Sequence, residues 1–341
     1  MLWWRQEMCF PIAEVSPVGK TGELVRLGFL SSLMRVQVGW LIGGACLWLT
    51  LVLVTASRWW FLMRIQDVDV SLWETQRLTF LGQFFNVVVP GTVGGDLVKA
   101  YYVAKHTDRK VAVILSIFVD RVIGLMGLTL FSLASVVVLL LRGVELEAIR
   151  TPLITLGIVV VLLLKSLLVM MFPRLRQWLG LSWLARKFPM AGKLAALAEA
   201  AAVYRKHAGK LCIAVAITLA CAALLILSIL VLGVSLSLPI PWYNYFLYVP
   251  LIYIIGAVPL TPGGIGLVEN FYLVFFSYGA IGGSANASEV VALALLARLI
   301  PILWSLPGAL VAVTGPKLPS EEKMEAELGL RDSADPSSQT P

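Results

Sequence analysis

Charged residues that stand in apolar sequence are the part of this chain that could perform chemistry. Arg121 and Arg298 each interrupt an apolar run, and Asp96 and Glu269 follow Gly-rich breaks. A charge at the centre of a membrane helix costs about 2.5–3.5 kcal/mol on insertion scales, so each needs a partner, water or a ligand. Cationic side chains and helix N-termini also favour phosphate. The predicted substrate-binding residues are Asn86, Asp96, Lys99, Asp120, Arg121, Glu269 and Arg298.

A purely structural role explains the same charges. The three acids and the two arginines could form internal ion pairs that hold helices together, with no contact to a ligand. Asn86 is predicted either to cap a helix or to bond a polar group of a ligand. The sequence leaves both interpretations open for each of these residues.

Two Pro/Gly breaks resemble each other, at residues 89–95 and 258–264, and their first prolines are 259 − 90 = 169 residues apart. In a bilayer, broken helices are tolerated only where the backbone faces protein or a water-filled cavity. Paired breaks in two halves of a chain therefore point to a transporter's substrate site near the bilayer midplane. In these breaks, prolines are predicted to interrupt the helix and glycines to allow the backbone geometry and close packing. The predicted break residues are Pro90, Gly94, Gly95, Pro259, Pro262, Gly263, Gly264 and Gly266.

The composition excludes a soluble globule. Of 341 residues, 59% are hydrophobic and 14% are charged, and the mean hydropathy is +0.88; soluble domains carry about 25% charged residues. An apolar run of about 20 residues can cross the hydrocarbon core. Such runs occur at 36–56, 122–141, 152–172, 211–232 and 290–314, and shorter apolar stretches at 79–90 and 242–259 lead into the two breaks.

Basic residues predict the topology. They cluster between residues 99 and 110 and between residues 174 and 210, and basic loops are cytoplasmic by the positive-inside rule. The first hairpin, flanked by Arg58, Arg64 and Arg77, then opens from the cytoplasm. Three spans separate it from the second hairpin, which must open from outside. The predicted fold is an all-α polytopic plasma-membrane protein, an inverted repeat of two re-entrant, Pro/Gly-broken helical hairpins, with a cytoplasmic C-terminus.

Three stretches share a pattern with a known family: residues 84–99 (FFNVVVPGTVGGDLVK), the pair Asp120-Arg121, and residues 259–269 (PLTPGGIGLVE). Together they resemble the flippase-like membrane region of lysylphosphatidylglycerol synthases and its stand-alone relatives. The resemblance extends over residues 36–315 and implies an integral membrane protein whose relatives move, or help to modify, lipid-borne substrates. The family usually has Arg where this chain has Lys99, which keeps the charge and loses the bidentate fork.

The flanking regions depart from the family pattern. Residues 1–35 hold four basic residues and no apolar run of 18 residues, so the family's extra N-terminal span is not predicted there. The sequence leaves three interpretations open: an atypical or truncated start, a segment on the membrane surface, or a first span of reversed direction. Residues 316–341 are predicted to be a disordered cytoplasmic tail. No soluble aminoacyl-transferase domain is expected within this chain.

The resemblance implies a translocase for a lipid or a lipid-linked headgroup, with an anionic phospholipid or a prenyl-phosphate-linked lipid as substrate. The alternative is a non-transporting accessory subunit or scaffold for a lipid-modifying transferase in the cytoplasm or membrane. The basic and aromatic segment 174–210 is predicted to lie on anionic headgroups or to dock a cytoplasmic enzyme. A homo-oligomer is compatible with either function.

Other chemistry finds little support in the sequence. The four cysteines, Cys9, Cys46, Cys212 and Cys221, do not have the spacing of metal ligands. Gly19-Lys20-Thr21 resembles the end of a phosphate-binding loop, but that motif requires Gly at position 14, where this chain has Glu14. The net charge of +7 follows from the basic loops. No metal, cofactor, nucleic-acid partner or catalytic constellation is therefore expected.

Overall fold

The structure is a computed structural model that describes residues 34, 36–88, 94–105, 107, 109–144, 150, 153–154, 156–158, 160–161, 203–204, 207–257, 264–278 and 285–314. The predicted N-terminal segment apart from residue 34, most of the predicted span 152–172, most of the segment 174–210 and the tail lie outside the described residues. The described part contains helices and no β-strand, which confirms the all-α prediction.

The described helices follow one another as α1 (Val38–Ile65), α2 (Leu72–Val88), α3 (Gly94–Ala104), α4 (Lys110–Leu141), α5 (Ala208–Ser235), α6 (Trp242–Gly256), α7 (Leu267–Leu273), a π turn (Val274–Tyr278) and α8 (Ala287–Thr314). Within this part of the chain, α1, α4, α5 and α8 are long and apolar enough to cross a membrane. The prediction of a multi-pass membrane protein is therefore confirmed.

The first hairpin consists of α2 and α3, which pack against each other. Near the break, Asn86 contacts Gly95, and one turn further from the break Gly82 lies against Lys99. Because residue numbers rise along one helix as they fall along the other, the two helices run antiparallel.

The second hairpin consists of α6, α7 and the π turn. Gly256 lies against Val268 near the break, and the rings of Tyr248 and Phe275 stack with centroids 5.0 Å apart further along. The chain thus reverses here as well. That the two hairpins are re-entrant and insert from opposite faces of the membrane stays a prediction.

The chain divides into two compact units, and each contains one hairpin. The first-hairpin unit comprises α1 from Val52, α2, α3, α4 to Gly127, α5 to Cys221 and α8 from Trp304. The second-hairpin unit comprises the remaining parts of α1, α4, α5 and α8, together with α6, α7 and the π turn. Each long helix therefore contributes a segment to both units.

Each unit has its own apolar core. In the first-hairpin unit, Trp59, Met63, Leu81, Leu97 and Val113 are buried in one cluster contributed by α1, α2, α3 and α4. The core of the second-hairpin unit combines aliphatic side chains with several aromatic ones. There the buried side chains include Tyr245, Tyr248, Tyr272, Phe275 and Phe276.

Two predicted spans were placed too short, and the reason lies in their charges. Helix α1 continues to Ile65 and α4 begins at Lys110, so Arg58 and Asp120 lie within helices. The interpretation of Arg58 as a flanking cytoplasmic residue was wrong, because only 5% of its surface is exposed and it pairs with Asp120. A helix can continue through a charge that is neutralised inside the protein.

We expect Lys105→Cys and Ser237→Cys, in a chain whose four native cysteines are replaced by serine, to label from opposite faces of the membrane. Both positions are exposed, one between α3 and α4 and the other after α5. Basic-loop parity places Lys105 in the cytoplasm, and the predicted span 152–172 then places Ser237 outside. Labelling with a membrane-impermeant maleimide in intact cells and inverted vesicles measures this, and modification of both positions from one face would contradict the topology.

Candidate functional site

The first hairpin is closed by a side chain of α2 that binds the start of α3. The Asn86 Oδ1 atom accepts a hydrogen bond of 2.9 Å from the Gly95 N–H group, one of the backbone donors that a helix start leaves without an intrahelical partner. Gly95 makes this approach possible, because a Cβ atom there would collide with the Gly82 carbonyl oxygen and lie 2.6 Å from Asn86 Oδ1. Asn86 therefore has a helix-capping contact in this structure.

Asp96, in the first turn of α3, holds two cations at once. Its Oδ1 atom lies 3.3 Å from Lys99 Nζ, one turn further along the same helix, and its Oδ2 atom accepts a hydrogen bond from Arg121 Nε of α4. A carboxylate has enough lone pairs to serve both partners. The pairing therefore joins the hairpin to α4.

The Lys99 side chain that pairs with Asp96 packs against a glycine of α2, Gly82. A Cβ atom on Gly82 would clash with the Lys99 side chain, so the absence of that atom leaves room for the lysine stem. The Lys99 Nζ atom also lies 5.5 Å from the centroid of the Trp59 ring, within the range of a cation–π interaction. Sequence reasoning identified Lys99 and missed Gly82 and Trp59.

The cluster of Asp96, Lys99 and Arg121, here called the triad, has a formal net charge of +1. The side chains of Asp96 and Lys99 are 13% and 17% exposed, whereas that of Arg121 is 41% exposed. Arg121 follows Lys110 by eleven residues, so it lies about 16 Å along α4 from the start of that helix. The triad thus presents an accessible guanidinium beside a nearly buried ion pair.

Asp120 belongs to a different cluster from its neighbour Arg121. Both of its carboxylate oxygens bind the Arg58 guanidinium, at 2.7 Å from Nε and 3.1 Å from Nη2. Arg58 Nη1 also donates a hydrogen bond of 2.9 Å to Thr218 Oγ1 of α5. Sequence reasoning missed Arg58 and Thr218. An arginine directly before the apolar run Trp59-Trp60-Phe61 was the available signal, but the predicted span ended before it.

In the second hairpin, Glu269 occupies a place comparable to that of Asp96. Its Oε2 atom accepts a hydrogen bond of 2.8 Å from the Gly266 N–H group before α7, and its Oε1 atom accepts one from Arg298 Nε of α8. Gly264 and Gly266 have φ angles of 69° and 80°, a region that favours glycine. The predicted breakers Pro90, Pro259, Pro262 and Gly263 lie outside the described residues.

The two hairpins have the same arrangement of acid and arginine but differ in net charge. In each, an acid in the first turn after the break pairs with an arginine of the next long helix. Arg121 and Arg298 both follow the first residue of their helices by eleven positions, since 121 − 110 and 298 − 287 are both 11. The pair of Glu269 and Arg298 is formally neutral, whereas the triad is positive.

A cleft of about 420 Å³ lies at the open end of the first hairpin, lined by Asp69, Ser71, Glu74, Leu78 and Tyr102 among others. Of its two acids, Asp69 is exposed and Glu74 is partly buried. Both pair with arginines, Asp69 with Arg64 at 2.7 Å and Glu74 with Arg77 at 3.5 Å. It contains none of the predicted site residues. Among the residues that the structure describes, no group of three or more His, Cys, Asp and Glu is placed to hold a metal.

These features define a multi-pass α-helical membrane protein with an ion-paired hairpin in each of two compact units. The family model of the lysylphosphatidylglycerol synthase TM region matches residues 16–308, and the chain belongs to this family. Searches of curated proteins and of solved structures found no match.

We expect Gly95→Ala to lower the melting temperature in detergent, because the added methyl group must push α2 and α3 apart. Overpacking of this kind costs about 1–3 kcal/mol. Gly39→Ala is the matched control, since a Cβ atom there meets nothing within 4 Å. The close packing of the hairpin would be refuted if both variants melted at the wild-type temperature.

Proposed function

We propose that this protein is a translocase for a lipid, or a lipid-linked headgroup, that carries an anionic phosphate. The observation that supports it best is the triad, a net positive cluster with a half-exposed arginine in a membrane-spanning chain. Membership of a family named for lysylphosphatidylglycerol synthesis supports a lipid as the ligand. Anionic phospholipids and prenyl-phosphate-linked lipids both meet this chemical description.

The triad suits a phosphate group for electrostatic reasons. A phosphate near Arg121 would gain charge-assisted hydrogen bonds from the guanidinium, and Lys99 would add a compact positive charge. Asp96 balances one of the two cations while no lipid is bound, so the protein does not have to hold two like charges without compensation. The start of α3 adds the positive end of a helix dipole on the same side.

Within this proposal, the two hairpins have different roles. The neutral pair of Glu269 and Arg298 fixes α7 to α8 and presents no net charge to an anion. Substrate selection therefore belongs to the first hairpin, and the second hairpin supplies the inverted partner that alternating access needs. Of the seven predicted substrate-binding residues, Arg121 and Lys99 are the ones we assign to the phosphate.

A second candidate function has its own support. Asp96, Asp120 and Glu269 each have a basic partner inside the protein, so the charges could serve only to lock the hairpins. A protein built in this way could be a non-transporting accessory subunit or scaffold for a lipid-modifying transferase. Measured lipid movement distinguishes the two candidates.

We expect Arg121→Gln to slow lipid movement while the protein remains folded. Asp96 keeps Lys99 as a partner in this variant, so the melting temperature should stay near that of wild type. A charge-assisted hydrogen bond contributes about 1.5–3 kcal/mol, which corresponds to about a tenfold to hundredfold loss of rate. The assay is the headgroup accessibility of labelled phosphatidylglycerol, with phosphatidylcholine for comparison, in proteoliposomes.

Arg109→Gln is the matched control, because Arg109 also pairs with an aspartate, Asp67, at 3.2 Å but lies on an exposed loop. It should move lipid at the wild-type rate. Wild-type transport in Arg121→Gln would show that the triad does not bind the phosphate. If the wild-type protein moved none of the lipids and Arg121→Gln unfolded, the accessory-subunit or scaffold function would be favoured.

A further inference from the structure

A second ion pair lies beside the triad in the first-hairpin unit. The Arg58 guanidinium of α1 binds both carboxylate oxygens of Asp120 on α4, and its Nη2 atom also lies 3.3 Å from the Asp120 carbonyl oxygen. Its remaining terminal nitrogen donates to Thr218 of α5. Arg58 is 5% exposed, so this interaction takes place within the protein. Three helices therefore meet at one guanidinium.

Asp120 shares one face of α4 with the residues four positions before and after it, Ser116 and Gly124. Ser116 accepts a hydrogen bond of 3.1 Å from the Trp59 indole N–H of α1, and a Cβ atom on Gly124 would lie 3.4 Å from Arg58 Nη2. Positions 116, 120 and 124 are four residues apart, which places them on the same side of a helix. This face of α4 is turned toward α1.

A neighbouring face of α4 is turned toward the hairpin. Arg121 binds Asp96 of α3, and Ile114 and Ile117 pack against the core cluster to which α1, α2 and α3 all contribute. Residues 114, 117 and 121 have the spacing of one helix face. Because successive residues of a helix are turned by about 100°, the rotation that points Asp120 at Arg58 also fixes the direction of Arg121.

We propose that Arg58 is a positioning residue for the triad: by binding Asp120 in a bidentate fork, it fixes the rotation of α4 so that Arg121 meets Asp96. A bidentate guanidinium–carboxylate pair is directional, unlike an apolar contact. Desolvation offsets much of the attraction in a buried ion pair, so an apolar replacement can leave stability unchanged while the directional constraint is lost. The consequence for transport rests on the proposed function, whereas the geometric consequence does not.

The test measures the geometry without using transport. Asp96→Cys and Arg121→Cys are combined in a chain whose native cysteines are replaced by serine. A bifunctional methanethiosulfonate, with a reach similar to an arginine side chain, then joins the two positions. The rate of cross-linking is compared with Arg58 and Asp120 present, in Arg58→Leu/Asp120→Leu, and in Arg58→Lys, which keeps the charge but loses the fork. The control pair is Leu78→Cys/Tyr102→Cys, which joins α2 to α3 without involving α4.

We expect the rate for the 96–121 pair to fall about threefold or more in both Arg58 variants, within the range seen for residues that share one ion-pair network. The control pair should react at an unchanged rate, which shows that the hairpin remains folded. A second readout uses the chain with native Asp96 and Arg121, in which Arg58→Leu/Asp120→Leu should move lipid about tenfold more slowly.

The outcomes separate this inference from the proposed function. Unchanged 96–121 cross-linking in both variants would overturn the positioning role. So would an equal fall for the control pair, because Arg58 would then stabilise the whole unit. Should the wild-type protein move no lipid while the 96–121 rate still falls selectively, the positioning role stands and the proposed function fails.

Discussion

A charge within a membrane protein needs a partner, and the first-hairpin unit is organised by this constraint. Asp96 is the central partner, since one carboxylate neutralises part of two cations and joins α3 to α4. The close approach of α2 and α3 at Gly95 and Gly82 brings Lys99 to the same carboxylate. Without the pairing, the hairpin would hold charges whose insertion costs several kcal/mol. The arrangement leaves Arg121 partly exposed, and this exposure gives the proposed lipid site its chemistry.

In the second-hairpin unit, the acid that follows the break is paired more simply, with a single arginine. Glu269 binds Arg298 and the backbone before α7, and this pair has a formal charge of zero. Aromatic rings of α6 pack against aromatic rings of the π turn there. Similar hairpins can therefore differ in function. The first hairpin carries the net positive triad to which we assign the lipid phosphate, and the second carries a formally neutral ion pair.

Much of this plan could be predicted from the sequence because breaks and charges are visible against an apolar background. The pairs that Asp96 forms with Arg121 and Glu269 forms with Arg298 agree with the structural interpretation that the sequence left open. Arg58 was missed because a run of about 20 apolar residues already satisfied the length of a span before it. Its partner Asp120 is 62 residues away, so only the packing of α1 against α4 brings them together. The space that Gly82 leaves for Lys99 is equally invisible in the sequence, since it depends on the register of α2 and α3.

Direct lipid binding is the measurement that tests whether the triad holds the phosphate of a lipid. Native mass spectrometry can count the lipids that remain bound to the purified protein after equal exposure to phosphatidylglycerol and phosphatidylcholine. We expect wild type to retain phosphatidylglycerol preferentially. We expect Lys99→Met/Arg121→Gln/Asp96→Asn to lose this preference, because it removes the net positive charge without leaving an acid unpaired. Equal retention of the two lipids by wild type, or an undiminished preference in a folded triple variant, would show that the triad does not bind the phosphate.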